Sequence, residues 1–152
     1  MTKAGNNSID HLGIEDLLCF SLYSANHAMN RVYKPLLDKF GLTYPQYLAL
    51  LVLWQEDNQT VGQMGERLFL ESNTLTPLLK RLETNGYVSR KRDPEDERQV
   101  RISLTKSGKS LKKETGSISV CIFEAASMDE TAITRLKNQI SSLRDNLAQS
   151  AT

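Results

Sequence analysis

Between residues 60 and 104 the apolar pattern changes from a helical period to strict alternation, and this change limits the possible folds. Thr60–Leu68 and Ser72–Leu82 carry apolar residues three and four positions apart, which predicts two short helices joined by a tight turn. Gln99–Leu104 alternates polar and apolar residues, which predicts a half-buried strand with Tyr87–Arg92 as its antiparallel partner. Two such helices followed by a hairpin with a charged loop predict a winged helix-turn-helix.

Three segments have the form of a capping box, in which Ser or Thr is followed three residues later by Gln or Glu. Thr43–Gln46 begins a helix that runs to Trp54, and Thr60–Gln63 begins the helix-turn-helix. Ser127–Glu130 begins the last helix. Pro77 has no backbone N–H to donate, so we expect it in or near the first turn of its helix.

Longer amphipathic helices flank this unit. The first is predicted from Ile14 to Phe40, and Gly41 ends it. The last carries an apolar seam at alternating steps of three and four, the a/d spacing of a helix that packs on another helix. The seam consists of Ile133, Leu136, Ile140, Leu143 and Leu147. Packing within the chain and dimerisation both explain it.

The chain of 152 residues contains no repeat or linker, so we expect a single domain over residues 1–152. Helices at about 10–42 and 105–150 would surround a winged helix-turn-helix at about 43–104. No apolar run approaches the roughly 20 residues that span a bilayer, and the N-terminus lacks the features of a signal peptide. We therefore expect a cytoplasmic protein without a membrane segment, whose two cysteines are thiols.

Positive charge is concentrated in the middle of the chain. Between Lys80 and Lys113 there are eleven Lys and Arg residues and five Asp and Glu, whereas the remainder has eight and thirteen. A basic segment within an acidic chain suggests a face that meets a polyanion such as DNA. A solvated helix beside a charged hairpin is the alternative explanation.

The second helix of the predicted helix-turn-helix would be the recognition helix. Short polar side chains in its first turns can reach base edges in the major groove, and they are Ser72, Asn73, Thr74 and Thr76. Lys80 and Arg81 lie further along and would contact phosphates. For each polar residue, simple capping and solvation is the alternative role.

The hairpin loop would add contacts in the minor groove. Arg92 and Arg98 flank the loop, and an arginine at a wing tip suits the narrow groove of A·T-rich DNA. Asp96 is two residues before Arg98 and can hold its guanidinium in place. These three residues complete the set of predicted DNA contacts.

A resemblance to MarR-type transcriptional regulators lies in four segments: LLCFSLYSA (17–25), LTYPQYLALLVLW (42–54), VGQMGERL (61–68) and residues 71–108 with the wing motif DERQV. The combination LLCF…VY…LTYPQY is narrower and resembles the organic-hydroperoxide-resistance regulators, the OhrR type. The resemblance runs from about Asp16 to the last helix. It implies an obligate homodimer, with the N- and C-terminal helices at its interface, that represses transcription from a pseudo-palindromic operator in double-stranded DNA.

The same resemblance implies a redox role for the thiols and no cofactor. In the OhrR type, organic hydroperoxide oxidises an N-terminal cysteine whose sulfur is hydrogen-bonded by two tyrosines. These roles fall on Cys19, Tyr33 and Tyr44. Some members have a second cysteine that resolves the oxidised sensor into an intersubunit disulfide, and Cys121 lies in the matching helix.

Helix geometry constrains how such a sensor is assembled. Cys19 and Tyr33 share a face of the first helix, because fourteen residues at 100° each leave an offset of about 40°. They are separated along the axis by about 21 Å, so Tyr33 cannot contact the cysteine of its own helix. An antiparallel partner helix would bring it there, where a neutral phenol can stabilise a reactive thiolate. The alternative is that Cys19 is a small buried apolar residue.

Two other classes of function are compatible with parts of the sequence. A regulator of the same fold could bind a phenolic ligand in an apolar pocket near Phe20, Tyr23 and Trp54, with Cys19 inert. A thiol peroxidase lacks support, because no arginine or histidine is placed to activate the thiol. Metal binding is not expected, because His11 and His27 have no clustered ligands.

Overall fold

A computed structural model describes residues 12–151. They form two compact units, divided between Lys113 and Glu114, and each is described by itself. The predicted single domain over residues 1–152 stays a prediction, and residues 10 and 11 of its first segment lie outside the described residues. None of the helices described is both long and apolar enough to cross a membrane.

The first unit begins with a short turn and a long helix. Residues Ile14–Asp16 form one 3-10 turn, closed by a bond of 3.0 Å from the Gly13 N–H to the Asp16 carboxylate. Helix α1 then runs over Leu18–Asp38. The predicted helix is therefore confirmed in its body, but it begins four residues later, because Leu17 is extended, and it ends at Asp38, two residues before Phe40. Gly41 follows the helix at φ +67°, a backbone conformation that favours glycine.

The helix-turn-helix follows, with α2 at Tyr44–Gln55, α3 at Val61–Leu68 and α4 at Ser72–Thr84. Two of the three predicted capping boxes, at Thr43 and Thr60, are confirmed here. The N–H of Thr43 donates to Gln46 over 2.9 Å, and the N–H of Thr60 donates to Gln63 over the same distance. In each box the glutamine N–H donates back to the threonine hydroxyl.

Pro77 departs from the expected position. It is the sixth residue of α4 and so lies in the second turn rather than the first. Its missing N–H leaves the carbonyl of Asn73 without a donor in the helix. Asn73 is exposed, so water can satisfy that carbonyl, and the helix continues to Thr84.

The predicted hairpin is confirmed, with β2 at Val88–Arg92 and β3 at Val100–Leu104. The strands are antiparallel, with Arg90 opposite Ile102. A third strand was not predicted: β1, Gln59–Thr60, pairs with the other side of β3. A strand of two residues is too short to show an alternating pattern in the sequence, so it could not be predicted from periodicity.

The core of the first unit lies between the helix-turn-helix and the sheet. Leu75, Leu79 and Leu82 of α4 are fully buried, as is Ile102 of β3. Helix α5, Lys106–Glu114, comes directly after β3 in the chain, and its Gly108 packs closely against the backbone of Tyr87. A Cβ atom added at Gly108 would lie 2.1 Å from the carbonyl oxygen of Tyr87, so only glycine fits there.

The second unit contains α6 at Ile118–Ala126 and α7 at Glu130–Ser150. The predicted capping box at Ser127 is wrong. Asp129 caps α7 instead, accepting a bond of 2.8 Å from the N–H of Ala132. Ser127 adopts a left-handed conformation, φ +51°, directly after α6, and a cap residue requires extended backbone.

Candidate nucleic-acid interface and thiol site

The first turn of α4 presents polar side chains to solvent. Ser72, Asn73 and Thr74 are exposed, and Thr76 is half-buried. The residue at the cap position is Glu71, whose side chain makes no capping bond. The polar residues that follow it are therefore not used to cap the helix, and they remain available to a ligand. Further along, Lys80 and Arg81 are exposed.

The wing presents one arginine almost completely to solvent. The side chain of Arg98 is 91% exposed, and its Nε lies 3.1 Å from Oδ1 of Asp96. The backbone N–H of Arg98 donates to the same oxygen over 3.1 Å. The predicted contact between these residues is present. Arg92, at the end of β2, is also exposed.

The base of the wing is fixed by a pair that the sequence analysis missed. Arg101 Nε lies 2.7 Å from Oδ2 of the buried Asp93, and Nη1 of Arg101 donates to the carbonyl of Asn58 over 3.1 Å. The N–H of Glu95 donates to Asp93 over 2.9 Å. This N–H and then Arg101 lower the pKa of Asp93. The Asp-Pro step after a strand signals a turn, and it was the available clue.

In the candidate thiol site, the phenol rings of Tyr33 and Tyr44 are in contact, whereas the Cys19 thiol lies elsewhere on the chain. The rings of Tyr33, near the end of α1, and Tyr44, at the start of α2, have centroids 4.5 Å apart. Tyr47 is 6.2 Å from Tyr33. Cys19 lies in the first turn of α1, exposed, and its thiol makes no hydrogen bond with any residue from 12 to 151.

Burial raises the pKa of Tyr33 to about 12, and the neighbouring Tyr44 and Tyr47 add to the shift. Burial also raises the pKa of Tyr44. Both phenols therefore keep their O–H donors at neutral pH. A groove of about 280 Å³ lies beside them, with Leu37 and Leu42 in its lining.

Cys121 lies in α6 of the second unit, half-buried and as a free thiol. Tyr23 contacts His27, whereas Trp54 contacts Tyr47 and donates to the carbonyl of Gly108 over 2.9 Å, and an apolar ligand pocket near Phe20, Tyr23 and Trp54 stays a prediction. Within residues 12–151 no cluster of three or more potential metal ligands exists, and His11 lies outside the described residues.

Comparison with known proteins identifies the family. Residues 31–115 match the family model described as transcriptional regulator SarA/Rot. The chain is 47% identical over 143 residues to the organic hydroperoxide resistance transcriptional regulator of Bacillus subtilis, covering 94% of this chain and 97% of that protein. The chain belongs to the MarR family. Within the MarR family it is of the OhrR type.

Other relatives agree with this assignment. TtmR of Methylorubrum extorquens, an HTH-type transcriptional regulator, is 45% identical, over 97% of this chain and 74% of that protein. Reduced AbfR bound to DNA is 36% identical with a TM-score of 0.79, covering 91% of this chain and 95% of that one. AbfR, from Staphylococcus epidermidis, is also known overoxidised and bound to DNA (TM-score 0.75) and in a disulfide form (TM-score 0.62).

The relatives confirm the expected class of fold and function. The chain is mainly helical with a small winged sheet, as in MarR-family regulators, and it is a transcriptional regulator rather than an enzyme. The thiol peroxidase alternative is therefore set aside. The roles of individual side chains stay predictions.

Proposed function

We propose that the protein is a homodimeric repressor that binds a pseudo-palindromic operator and is released when an organic hydroperoxide oxidises Cys19. The main support is the geometry of α1. It holds an exposed thiol, Cys19, near one end and the neutral phenol of Tyr33 near the other, where Tyr44 at the start of α2 lies against Tyr33. The same chain cannot join them, whereas two antiparallel copies can.

Exposed apolar side chains support the dimer. Leu18, Tyr23 and Met29 of α1 are 60%, 62% and 45% exposed, and each would be buried by a partner helix. The exposed residues of the α7 seam have the same property, and they are Leu136, Ile140 and Leu147. Burial of such surface is the usual driving force of obligate dimers.

In the proposed sensor, the thiolate of Cys19 accepts hydrogen bonds from the phenols of the other subunit. The thiolate attacks one peroxide oxygen, the O–O bond breaks, and the alcohol leaves after it takes up a proton. Cys19 is then a sulfenic acid. The thiol of Cys121 from the partner subunit attacks its sulfur, which forms a disulfide and releases water.

The disulfide would change the position of the DNA-binding units. It requires Cα atoms within about 7 Å, so if the two cysteines start further apart its closure draws α6 of one subunit towards α1 of the other. We propose that this alters the separation or tilt of the two recognition helices, which then no longer match successive major grooves. AbfR, known both reduced on DNA and as a disulfide, supports a thiol–disulfide cycle in this type of regulator.

On DNA, each α4 would enter a major groove with Ser72, Asn73 and Thr74 at base edges and Thr76 beside them. Lys80 and Arg81 would contact phosphates. Arg98, held by Asp96, would enter the minor groove at the wing, with Arg92 near the adjacent backbone. The exposure of these side chains supports the proposal.

The test compares wild type with Cys19→Ser and Cys121→Ser. Each is incubated with cumene hydroperoxide and then measured for binding to a duplex that wild type selects from a random library. We expect Cys19→Ser to bind DNA and to ignore the oxidant. We expect Cys121→Ser to form no crosslinked dimer on a non-reducing gel. Release of Cys19→Ser by hydroperoxide would refute the sensor, and release of Cys121→Ser would remove Cys121 from the mechanism.

A further inference from the structure

A groove of about 310 Å³ lies between the recognition helix and the wing, within the first unit. Four segments line it: the start of α3, the start of α4, strand β2 and the wing residues that lead into β3. Its polar lining includes Ser72, Thr76, Arg90 and Arg98. Of these, Arg90 is absent from the predicted set of DNA contacts.

Arg90 is mostly buried, yet its guanidinium is poorly paired. Its side chain is 19% exposed, and its Nε is inaccessible to solvent with no hydrogen-bond partner among the described residues. Its Nη1 lies 3.9 Å from Glu83, which is too long for a hydrogen bond. The other oxygen of Glu83 accepts the backbone N–H of Arg90 over 3.0 Å. Glu83 therefore neutralises the guanidinium only loosely, and the positive charge and Nη donors of Arg90, which lines the groove, remain available to a ligand there.

The position of Arg90 on the strand directs it to this groove. Arg90 is opposite the buried Ile102, so it lies on the inner face of the hairpin. Its neighbour Lys91 is opposite Arg101 on the other face and is exposed. Arg90 and Lys91 therefore lie on opposite faces of the wing.

We propose that this groove binds one phosphate of the DNA backbone, with Arg90 as the main donor and the hydroxyl of Thr76 as a neutral donor. The proposal rests on the DNA binding proposed above. A recognition helix in the major groove and a wing in the adjacent minor groove have one sugar–phosphate strand between them. A guanidinium in that gap can bind two phosphate oxygens at once.

The test measures the salt dependence of DNA binding for wild type, Arg90→Gln and Arg90→Lys. The matched control is Lys91→Gln, which removes the adjacent charge from the opposite face. The probe is the duplex that wild type selects from a random library, between 50 and 300 mM chloride. Each lost phosphate contact lowers the slope of log K against log salt by about 0.9, so Arg90→Gln should lower it by about 2 per dimer. Lys91→Gln should keep the slope.

The outcomes separate this proposal from the function on which it rests. If wild type binds no selected duplex, the DNA-binding function itself fails. If wild type binds and Arg90→Gln keeps its slope, the function stands and the phosphate site is refuted. Arg90→Lys keeps the charge and should retain most of the wild-type slope. This comparison still tests the phosphate site if the Arg90→Gln variant does not fold. Arg90-dependent binding of inorganic phosphate, with an unchanged slope on DNA, would also refute it.

Discussion

Replacing Tyr33 by Phe tests the proposed sensor with the smallest change. The variant loses one O–H and keeps the ring, so the contact with the Tyr44 ring at 4.5 Å is retained. A hydrogen bond to a charged group contributes about 1.5–3 kcal/mol. If the bond stabilises the reactive thiolate, its loss slows oxidation of Cys19 by roughly 10- to 100-fold. DNA binding by the reduced protein should not change.

The pH dependence follows from the same phenol. The pKa of Tyr33 is raised to about 12, so its O–H persists through the range in which thiols ionise. Stabilisation of a thiolate favours ionisation of the thiol, so the rate advantage of wild type over Tyr33→Phe should be largest at pH 6 and should shrink towards pH 9, where thiols ionise without such help. If Tyr33 acted as a phenolate base, the advantage would instead grow with pH.

The assay is stopped-flow loss of the Cys19 thiol with cumene hydroperoxide, in a Cys121→Ser background so that a single thiol reacts. Tyr47→Phe is the control, because it removes a phenol from the same aromatic cluster. We expect its rate to match wild type within twofold. A Tyr33→Phe rate that is also within twofold of wild type would refute the role of Tyr33.

Three further predictions concern the fold. Gly108→Ala should lower the free energy of unfolding by about 1–3 kcal/mol, because its Cβ would meet the Tyr87 carbonyl; an unchanged midpoint in urea would contradict this. Thr43→Ala removes the cap of α2 and should cost about 1 kcal/mol in the same assay, with Thr131→Ala on exposed α7 as its control. Folding lowers the pKa of Asp93 from 3.8, so its stabilisation is present above that pH and is lost as pH falls through the folded value. Asp93→Asn should therefore flatten the acid dependence of the thermal midpoint below pH 4, and an identical acid limb would contradict it.

Local patterns predicted the elements that have a strong period or a specific cap. The boxes at Thr43 and Thr60 and the alternation of Gln99–Leu104 each correspond to an observed element. Ser127 and Asp129 are both possible caps for α7, and Asp129 is the one used because its backbone is extended whereas that of Ser127 is left-handed. Strand β1 forms only because β3 is beside it, a tertiary effect without a local signal.

Residues of the candidate site could be predicted from the sequence where residue type alone sets their exposure. They were harder to predict where their contacts depend on how the chain packs. The residues at the start of α4 are polar and exposed, and residue type alone indicates such exposure. Arg90 was missed because its function depends on the cavity formed around it. Likewise, the pair of Asp93 and Arg101 joins positions eight residues apart across a loop whose path the sequence does not define.

Assembly of the sensor between subunits is tested by a mixed dimer in which one subunit carries Cys19→Ser and the other carries Tyr33→Phe. In this dimer the one remaining Cys19 faces an intact Tyr33 only if the sensor is assembled between subunits. Two differently tagged subunits are co-expressed, the mixed dimer is purified through both tags, and thiol loss with cumene hydroperoxide is timed. We expect a rate within twofold of wild type, whereas a rate as slow as that of the Tyr33→Phe homodimer would show that each sensor is assembled within one subunit.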